Sequence, residues 1–357
     1  MMMSVRRGWL RAVTVGVLVL AVLVAVVVAG GYGYARLRID QVASVHVPGL
    51  TPAPPPGRPM NLLVVGSDTR QGLGRQDRGQ FGTVAGQRGD VILVVHLVPA
   101  THRAWMLSIP RDLYVPVAGT GDRAKINSAL ARGPEELVET IKADFGIPVS
   151  HYVLVDFDGF RAVVDAVGGL RLDFPSPVRD DDNGHNNSGL LITTPGCRHL
   201  DGEQALALAR SRHYQYRGAD GGWRSDPGYD LGRIRRQQVL LRALAAQALR
   251  RGLTNPLRAN AVLSALSRHL TRDDTLTVGQ AVRLAGQFRA LRPGALVGLT
   301  IPTVPALRGG EQVLLPVQPM TRQTVARFLG RPTPAAHPAP SGPAQPAAAP
   351  AWDPRPC

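Results

Sequence analysis

The sequence predicts an α/β fold with α-β-α layering, a central mixed sheet covered by helices and preceded by one N-terminal transmembrane helix. Three observations carry that expectation. Between residues 61 and 330, short Val-, Leu- and Ile-rich runs alternate with stretches of helical periodicity, as in a helix-covered sheet. No charged residue occurs from Ala12 to Ala35, a stretch long enough to cross ~30 Å of hydrocarbon as a helix. Proline-rich segments flank the region between.

Asn61–Val65, Val91–Val98 and Trp105–Ile109 are expected to be buried strands, because unbroken aliphatic runs suit a sheet covered on both faces. Pro134 starts a helix through Phe145, with Gly146 at its C-terminal side. Tyr152–Val155 then forms a strand, Asp158 caps a helix through Val167, and Leu170–Phe174 is a strand after Gly168-Gly169. Asp201 to Ala209 opens another helix. The longest helix begins at Asp230: Ile234, Leu241, Leu244 and Ala248 fall near one face, and Arg233, Arg236 and Gln237 share a neighbouring one. From Asn255 to Phe328 further helices are expected, with Leu296–Ile301 and Gln312–Pro316 as strand candidates.

Arg6, Arg7 and Arg11 precede the apolar run, so the positive-inside rule keeps residues 1–11 in the cytoplasm and sends the chain after the anchor at 12–35 outside. The run is longer than the apolar region of a cleaved signal peptide and ends in Gly30-Gly31-Tyr32-Gly33-Tyr34, which favours an uncleaved anchor. Residues 36–60 are expected to form a proline-rich stalk, 61–330 the folded domain, and 331–357, dominated by Pro and Ala, a disordered tail. The only cysteines are Cys197 and Cys357, too few for a disulfide framework and without metal-site spacing. Outside the cytoplasm they can pair and pin the tail; two unpaired thiols are the alternative.

The formal charge of +15 comes almost wholly from arginine, since Lys125 and Lys142 are the only lysines. Such a surface attracts phosphate-rich partners and anionic lipid, although a GC-rich genome that writes Arg for Lys accounts for the total equally well. Position therefore decides. Gly66-Ser67-Asp68-Thr69-Arg70 follows the first strand, Arg88-Gly89-Asp90 precedes the second, and Ser108-Ile109-Pro110-Arg111-Asp112 follows the third. Lys125-Ile126-Asn127 lies in the next loop, Arg210-Ser211-Arg212-His213 ends a helix, and Asp230 to Gln238 begins another. Paired aspartates suit Mg²⁺ or Mn²⁺ shared with a substrate phosphate, while Arg and Lys suit diphosphate oxygens. Singly, each has an ordinary reading as a turn residue, a helix cap or a surface ion pair such as Arg111 with Asp112. Asp180-Asp181-Asp182-Asn183-Gly184 lacks the ligand spacing of a calcium loop and is expected to be solvated; His185, His199 and His213 lack zinc spacing.

Taken in order, GSDTR, RGD, SIPRD, KIN, LDGEQALALARSRH and DLGRIRRQQ resemble the LytR-CpsA-Psr family of cell-wall glycopolymer phosphotransferases over nearly all of Asn61 to Leu241, and His151 to Leu170 resembles its helix and strand unit. The resemblance implies a membrane-anchored, extracytoplasmic enzyme that moves a polyprenyl-pyrophosphate-linked glycopolymer onto a peptidoglycan hydroxyl and releases polyprenyl phosphate. By motif it assigns Asp68 and Asp90 to a metal, Mg²⁺ or Mn²⁺. It assigns Arg70, Arg88, Arg111, Lys125, Arg210, Arg212, Arg233 and Gln237 to the pyrophosphate, with Asp68, Arg111 and Asp230 in catalytic roles. Val91 stands where the family usually has Thr or Ser, and Tyr114 and Val115 stand where a further Arg often occurs. Teichoic acid, capsule and arabinogalactan all fit as the polymer. A lipid-pyrophosphate hydrolase and a receptor for lipid-linked glycan are the rival readings; a DNA-binding regulator conflicts with a basic domain outside the cytoplasm.

Overall fold

The computed structural model describes residues 42–67, 89–248, 256–289, 295–332 and 350–357. The expected anchor at 12–35 lies outside the described residues, and none of the described helices is long and apolar enough to cross a membrane. Among the described residues the central sheet has seven strands: β1 (Ala43–Val45), β2 (Met60–Ser67), β3 (Gly89–Val98), β4 (Arg103–Ile109), β5 (His151–Asp156), β6 (Leu270–Asp273) and β7 (Leu296–Thr300). Their spatial order is β1-β6-β5-β2-β3-β4-β7. β2 lies parallel to β5 and antiparallel to β3, and β4 lies parallel to β7, so the sheet is mixed as expected. The α-helices among the described residues are α1 (Asn127–Arg132), α2 (Pro134–Phe145), α3 (Phe157–Ala166), α4 (Gly202–Arg210), α5 (Tyr229–Gln247), α6 (Pro256–His269), α7 (Val278–Arg289) and α8 (Met320–Phe328).

Period-2 alternation sets the layers. Leu63, Val65, Ile92 and Val94 point to one face and share a core with Leu130 of α1, Ile141 of α2 and Phe328 of α8. Leu62, Leu93, Val95 and Met106 point to the other, where Leu284 of α7 joins them. A third core joins α3, α4 and α5 through Val164, Leu208 and Leu240 and rests on the strand Leu170–Phe174. Burying each such side chain stabilises the fold by about 1.5–3 kcal/mol.

Helix α2 has the bounds read from its Pro134 and Gly146; Gly146 is left-handed (φ 61°) and its N–H returns to Lys142 O. Asp201 caps α4 through a reciprocal capping box with Gln204. The cap of α3 differs from expectation. Asp156, extended at the end of β5, accepts the Gly159 N–H at 2.6 Å, whereas Asp158 already lies in the first turn and pairs with Arg161. An N-cap needs that extended backbone.

The stalk and the tail are the larger corrections. Residues 43–45 of the expected stalk pair with Thr271–Asp273, Val47 is buried, and Thr51 N–H donates to Val149 O at 2.7 Å. At the other end, Trp352 stacks on Tyr216 with ring centroids 4.6 Å apart, Arg355–Pro356 adds to the strand 170–174, and Cys357 is disulfide-bonded to Cys197. The apolar valines, Trp352 and Cys357 supply anchors that the surrounding prolines obscure. Asp180, expected in a solvated loop, is buried and accepts Ser188 N–H, Ser211 Oγ–H and His213 N–H at 2.8–3.0 Å.

On α2, burial pushes the Asp144 carboxyl up to about 6, against an opposing pull from Arg123. A raised carboxyl favours the folded state when protonated, so its contribution is lost as pH rises from the ordinary 3.8 through about 6. Asp144 is only half-buried, so solvent screening limits the effect to about 1 kcal/mol. Asp144→Asn is therefore expected to gain about 1 kcal/mol on wild type between pH 4 and pH 8, read from urea midpoints. A constant difference across that range would mean that water already solvates the carboxylate.

Candidate active site

The C-terminal ends of β2 and β5 and the start of β3 open onto one cavity of about 830 Å³, closed on its other side by α3, α4 and α5. Its apolar wall comes from residues that alternation and helical spacing turn inward: Val64, Val91 and Leu93 from the sheet, Phe160 from α3, Leu206 from α4, and Leu241 and Leu244 from α5. Gly66 widens the floor, because a Cβ there would stand only 3.1 Å from Val91 Cβ. Arg210, Arg212, Arg233 and Gln237 also line this cavity. The result is amphipathic: aliphatic over most of its wall, with Arg210, Arg212 and Arg233 where α4 ends and α5 begins and the carboxylates Asp156, Asp158, Asp180, Asp182 and Glu203 elsewhere on the lining.

Several contacts fix that cationic group. Gln237 Nε2 donates to Ala209 O at 3.0 Å and ties α5 to the last turn of α4. Gln238 Nε2 lies 2.9 Å from Ser108 Oγ and from Leu299 O, which ties α5 to the ends of β4 and β7. Arg210 rests over the Phe157 ring, its guanidinium carbon 5.1 Å from the centroid. Asp230 Oδ1 is 2.5 Å from Arg233 Nη2, one helical turn on, and orients a guanidinium that is almost fully buried. Tyr229, at the start of α5, is exposed and left-handed (φ 43°), an unusual conformation for a bulky residue that turns the chain into the helix beside Asp230. The N-cap, Gly228, offers no side-chain cap, so the amide end of α5 favours an anion. A second, much smaller cleft of about 10 Å³ adjoins this group and is lined by Arg111, Asp230, Arg233 and Gln237.

A model of the LytR_cpsA_psr family matches residues 46–326, well over half of the chain. The chain belongs to the LytR_cpsA_psr family. It is 38% identical to the polyisoprenyl-teichoic acid–peptidoglycan teichoic acid transferase TagV of Bacillus subtilis over 190 residues, 52% of this chain and 43% of that protein. It is 34% identical to the probable cell wall biosynthesis protein LcpB of Corynebacterium glutamicum over 247 residues, 68% of this chain and 54% of that one. The chain thus spans about half the length of the curated relatives it matches. Among solved structures, the LytR-Csp2A-Psr enzyme from Actinomyces oris superposes with a TM-score of 0.63 at 25% identity, covering 80% of this chain and 95% of that one. The TagV structure from B. subtilis superposes at 0.59 with 27% identity, covering 77% and 99%.

Of the residues that the LytR_cpsA_psr motifs assign to the site, the structure brings Arg111, Arg210, Arg212, Asp230, Arg233 and Gln237 to these two adjoining clefts. Lys125 lines neither: its Nζ is 2.9 Å from Glu311 and 3.9 Å from Asp112, the residue that also faces Arg111 Nε at 3.5 Å. Asp68, Arg70 and Arg88 lie outside the described residues, and Asp90 is described only as part of β3. Among the described residues no group of three His, Cys, Asp or Glu is placed to hold a metal ion. One observation favours a cationic or donor group here: among the described residues Asp230 Oδ2 is buried without a hydrogen-bond partner, and hard carboxylate oxygens are the donors that Mg²⁺ takes.

The sequence grouped Arg236 with Arg233 and Gln237, but the structure separates it. Arg236 is fully buried, bonded to Asp226 at 2.5 Å and laid on the Tyr214 ring at 4.1 Å. A side chain at Gly232 would collide with the Asp226 carboxylate, so that glycine lets the ion pair form against the helix. His213, the last residue of the LDGEQALALARSRH motif, and Asp182 also line the cavity, although the sequence weighed them only as metal ligands; Asp156, Arg161 and Glu203 line it too.

Proposed function

We propose that the chain is a membrane-anchored phosphotransferase that moves a polyprenyl-pyrophosphate-linked glycopolymer onto a peptidoglycan hydroxyl and releases polyprenyl phosphate. The observation that carries this reading is the amphipathic cavity, whose aliphatic wall suits a prenyl chain and whose Arg210, Arg212 and Arg233 suit the diphosphate joined to it. The chain's 38% identity to TagV, a polyisoprenyl-teichoic acid–peptidoglycan teichoic acid transferase, supports it. The Cys197–Cys357 disulfide supports a domain outside the cytoplasm, beyond an anchor at 12–35.

In this mechanism the arginines neutralise charge that spreads over the phosphoryl oxygens, Asp230 orients Arg233, and Arg111 closes the pyrophosphate end from the side of β4. Asp68 and Asp90, with Arg70 and Arg88 beside them in sequence, complete the proposed site; a Mg²⁺ held by the two aspartates would add Lewis-acid stabilisation of the same oxygens. Lys125 acts at one remove, through Asp112 and Arg111. The test is product analysis with a synthetic prenyl-pyrophosphate glycan, a peptidoglycan oligomer and Mg²⁺. A glycan-peptidoglycan adduct is expected. Free glycan phosphate alone would make the protein a hydrolase, and binding without turnover a receptor.

The cavity wall yields a separate expectation. Leu206 is buried on α4 and faces the cavity, so Leu206→Trp fills space assigned to the prenyl chain. Each buried CH₂ of the donor contributes about 0.8 kcal/mol, so displacing even two of them raises KM for a long-chain donor about tenfold. A donor with a single isoprene unit should be unaffected. Equal changes for both donors would place the prenyl chain elsewhere.

A further inference from the structure

We propose that His213, oriented by Asp182, is the base that takes the proton from the attacking hydroxyl, an inference that rests on the phosphotransfer reading above. Both side chains line the cavity together with Arg210 and Arg212. His213 Nε2 faces Asp182 Oδ2 at 3.6 Å. A histidine whose one nitrogen faces a carboxylate presents the other as a proton acceptor, and the carboxylate stabilises the imidazolium that forms. Such contacts are often long before substrate binds and tighten in the complex.

The mounting is more rigid than an exposed histidine requires. His213 N–H donates to the buried Asp180 Oδ1 at 2.8 Å, and His213 O accepts Asp181 N–H at 3.0 Å. Ser211 Oγ donates to the same Asp180 oxygen at 2.9 Å, so the turn leaving α4 is bolted to the loop that carries Asp182. The His213 ring itself is about half-exposed, 48% by side chain, so an acceptor as large as a glycan strand reaches it. Among the described residues Asp182 faces the ring, Asp180 and Asp181 hold its backbone, Arg179 pairs with Asp181, and Arg210 and Arg212 share the cavity. Asp230, one alternative base, has Oδ1 committed to Arg233 at 2.5 Å and a buried Oδ2 that a bulky acceptor does not reach, and acts by positioning that guanidinium.

The step balances. The acceptor oxygen forms a bond to the phosphorus that carries the glycan, its proton passes to His213 Nδ1, and the bond from that phosphorus to the prenyl phosphate oxygen breaks. Polyprenyl monophosphate leaves with the electron pair. Water in place of the sugar hydroxyl follows the same course, which makes a test possible that does not presuppose transfer.

That test measures polyprenyl phosphate release by the full chain in detergent from pH 5 to 9, with a peptidoglycan oligomer and with water alone. His213→Gln is expected to lower kcat about 100-fold, the lower end of what a positioned base contributes. It should leave the donor KM unchanged and remove the acidic limb of the pH profile. Asp182→Asn is expected to lower kcat about tenfold with the donor KM unchanged. Wild-type kcat and an intact acidic limb in His213→Gln would overturn the proposal, as would a loss confined to KM. Release to water only, by wild type, would overturn transfer while the limb still judges His213; no release to either would overturn both.

Discussion

Arg233→Ala is expected to lower kcat for transfer by 10²–10³, about 3–4 kcal/mol of transition-state stabilisation, with a much smaller rise in KM. Arg233 is the most deeply buried of the cavity arginines whose burial decides the matter, 2% exposed, and it lines both the large cavity and the adjoining cleft. In that setting a guanidinium acts without a water shell to screen it, so its effect on developing phosphoryl charge exceeds that of a surface arginine. Arg233→Lys should recover only part of the loss, because a point charge reproduces neither the fork that meets two oxygens nor the contact to Asp230 at 2.5 Å. Asp230→Asn is the companion variant. If Asp230 acts by orienting Arg233, it lowers kcat less than Arg233→Ala, and the double variant is no worse than Arg233→Ala alone. Additive losses in that double-mutant cycle would mean that Asp230 has a separate chemical role.

The central strands were legible because their aliphatic runs are continuous, and α2 was legible because Pro134 and Gly146 mark both ends. β6 was not, since Leu270-Thr271-Arg272-Asp273 has no apolar run; it is held by pairing to β1 and β5 and by the buried Asp273 carboxylate. That carboxylate accepts Tyr152 N–H at 3.0 Å and His151 Nδ1 at 3.2 Å, and also the Thr275 hydroxyl. Burial alone would raise its proton affinity, but those hydrogen bonds outweigh burial and hold it below the ordinary carboxylate range. Partners so distant in sequence leave no local period to detect. Within the site, the motifs named Arg210, Arg212 and Arg233, which line the cavity, but not Arg161, and helical spacing could not say that Arg236 turns away, because that depends on Tyr214 and Asp226. The Asp182–His213 pair was illegible for the same reason: each residue is ordinary until the fold brings the loop to the end of α4.

Asp226→Asn is expected to cost about 3–5 kcal/mol of stability, the usual effect of removing one partner from a buried ion pair. Asp226 and Arg236 are both buried, and the surrounding cluster is balanced: Asp226 and Asp353 face Arg235 and Arg236. Asp353 bonds Arg235 Nε at 2.8 Å but stands 3.8 Å from Arg236, and Arg235 is partly exposed, so Asp353→Asn should cost less than Asp226→Asn. Ending the chain at residue 349 removes Asp353, the stack of Trp352 on Tyr216 and the disulfide together. By loop entropy alone a bridge between residues 160 apart stabilises by about 5 kcal/mol, so truncation should exceed either point variant. Because Arg236 shares the first turns of α5 with the cavity residues Arg233 and Gln237, loosening this cluster also disturbs the proposed site. Urea midpoints for the three variants, with and without dithiothreitol, test the order. The truncated chain should be indifferent to reductant while the full chain loses stability in it, and equal midpoints for Asp226→Asn and wild type would show that Arg236 finds its counter-charge elsewhere.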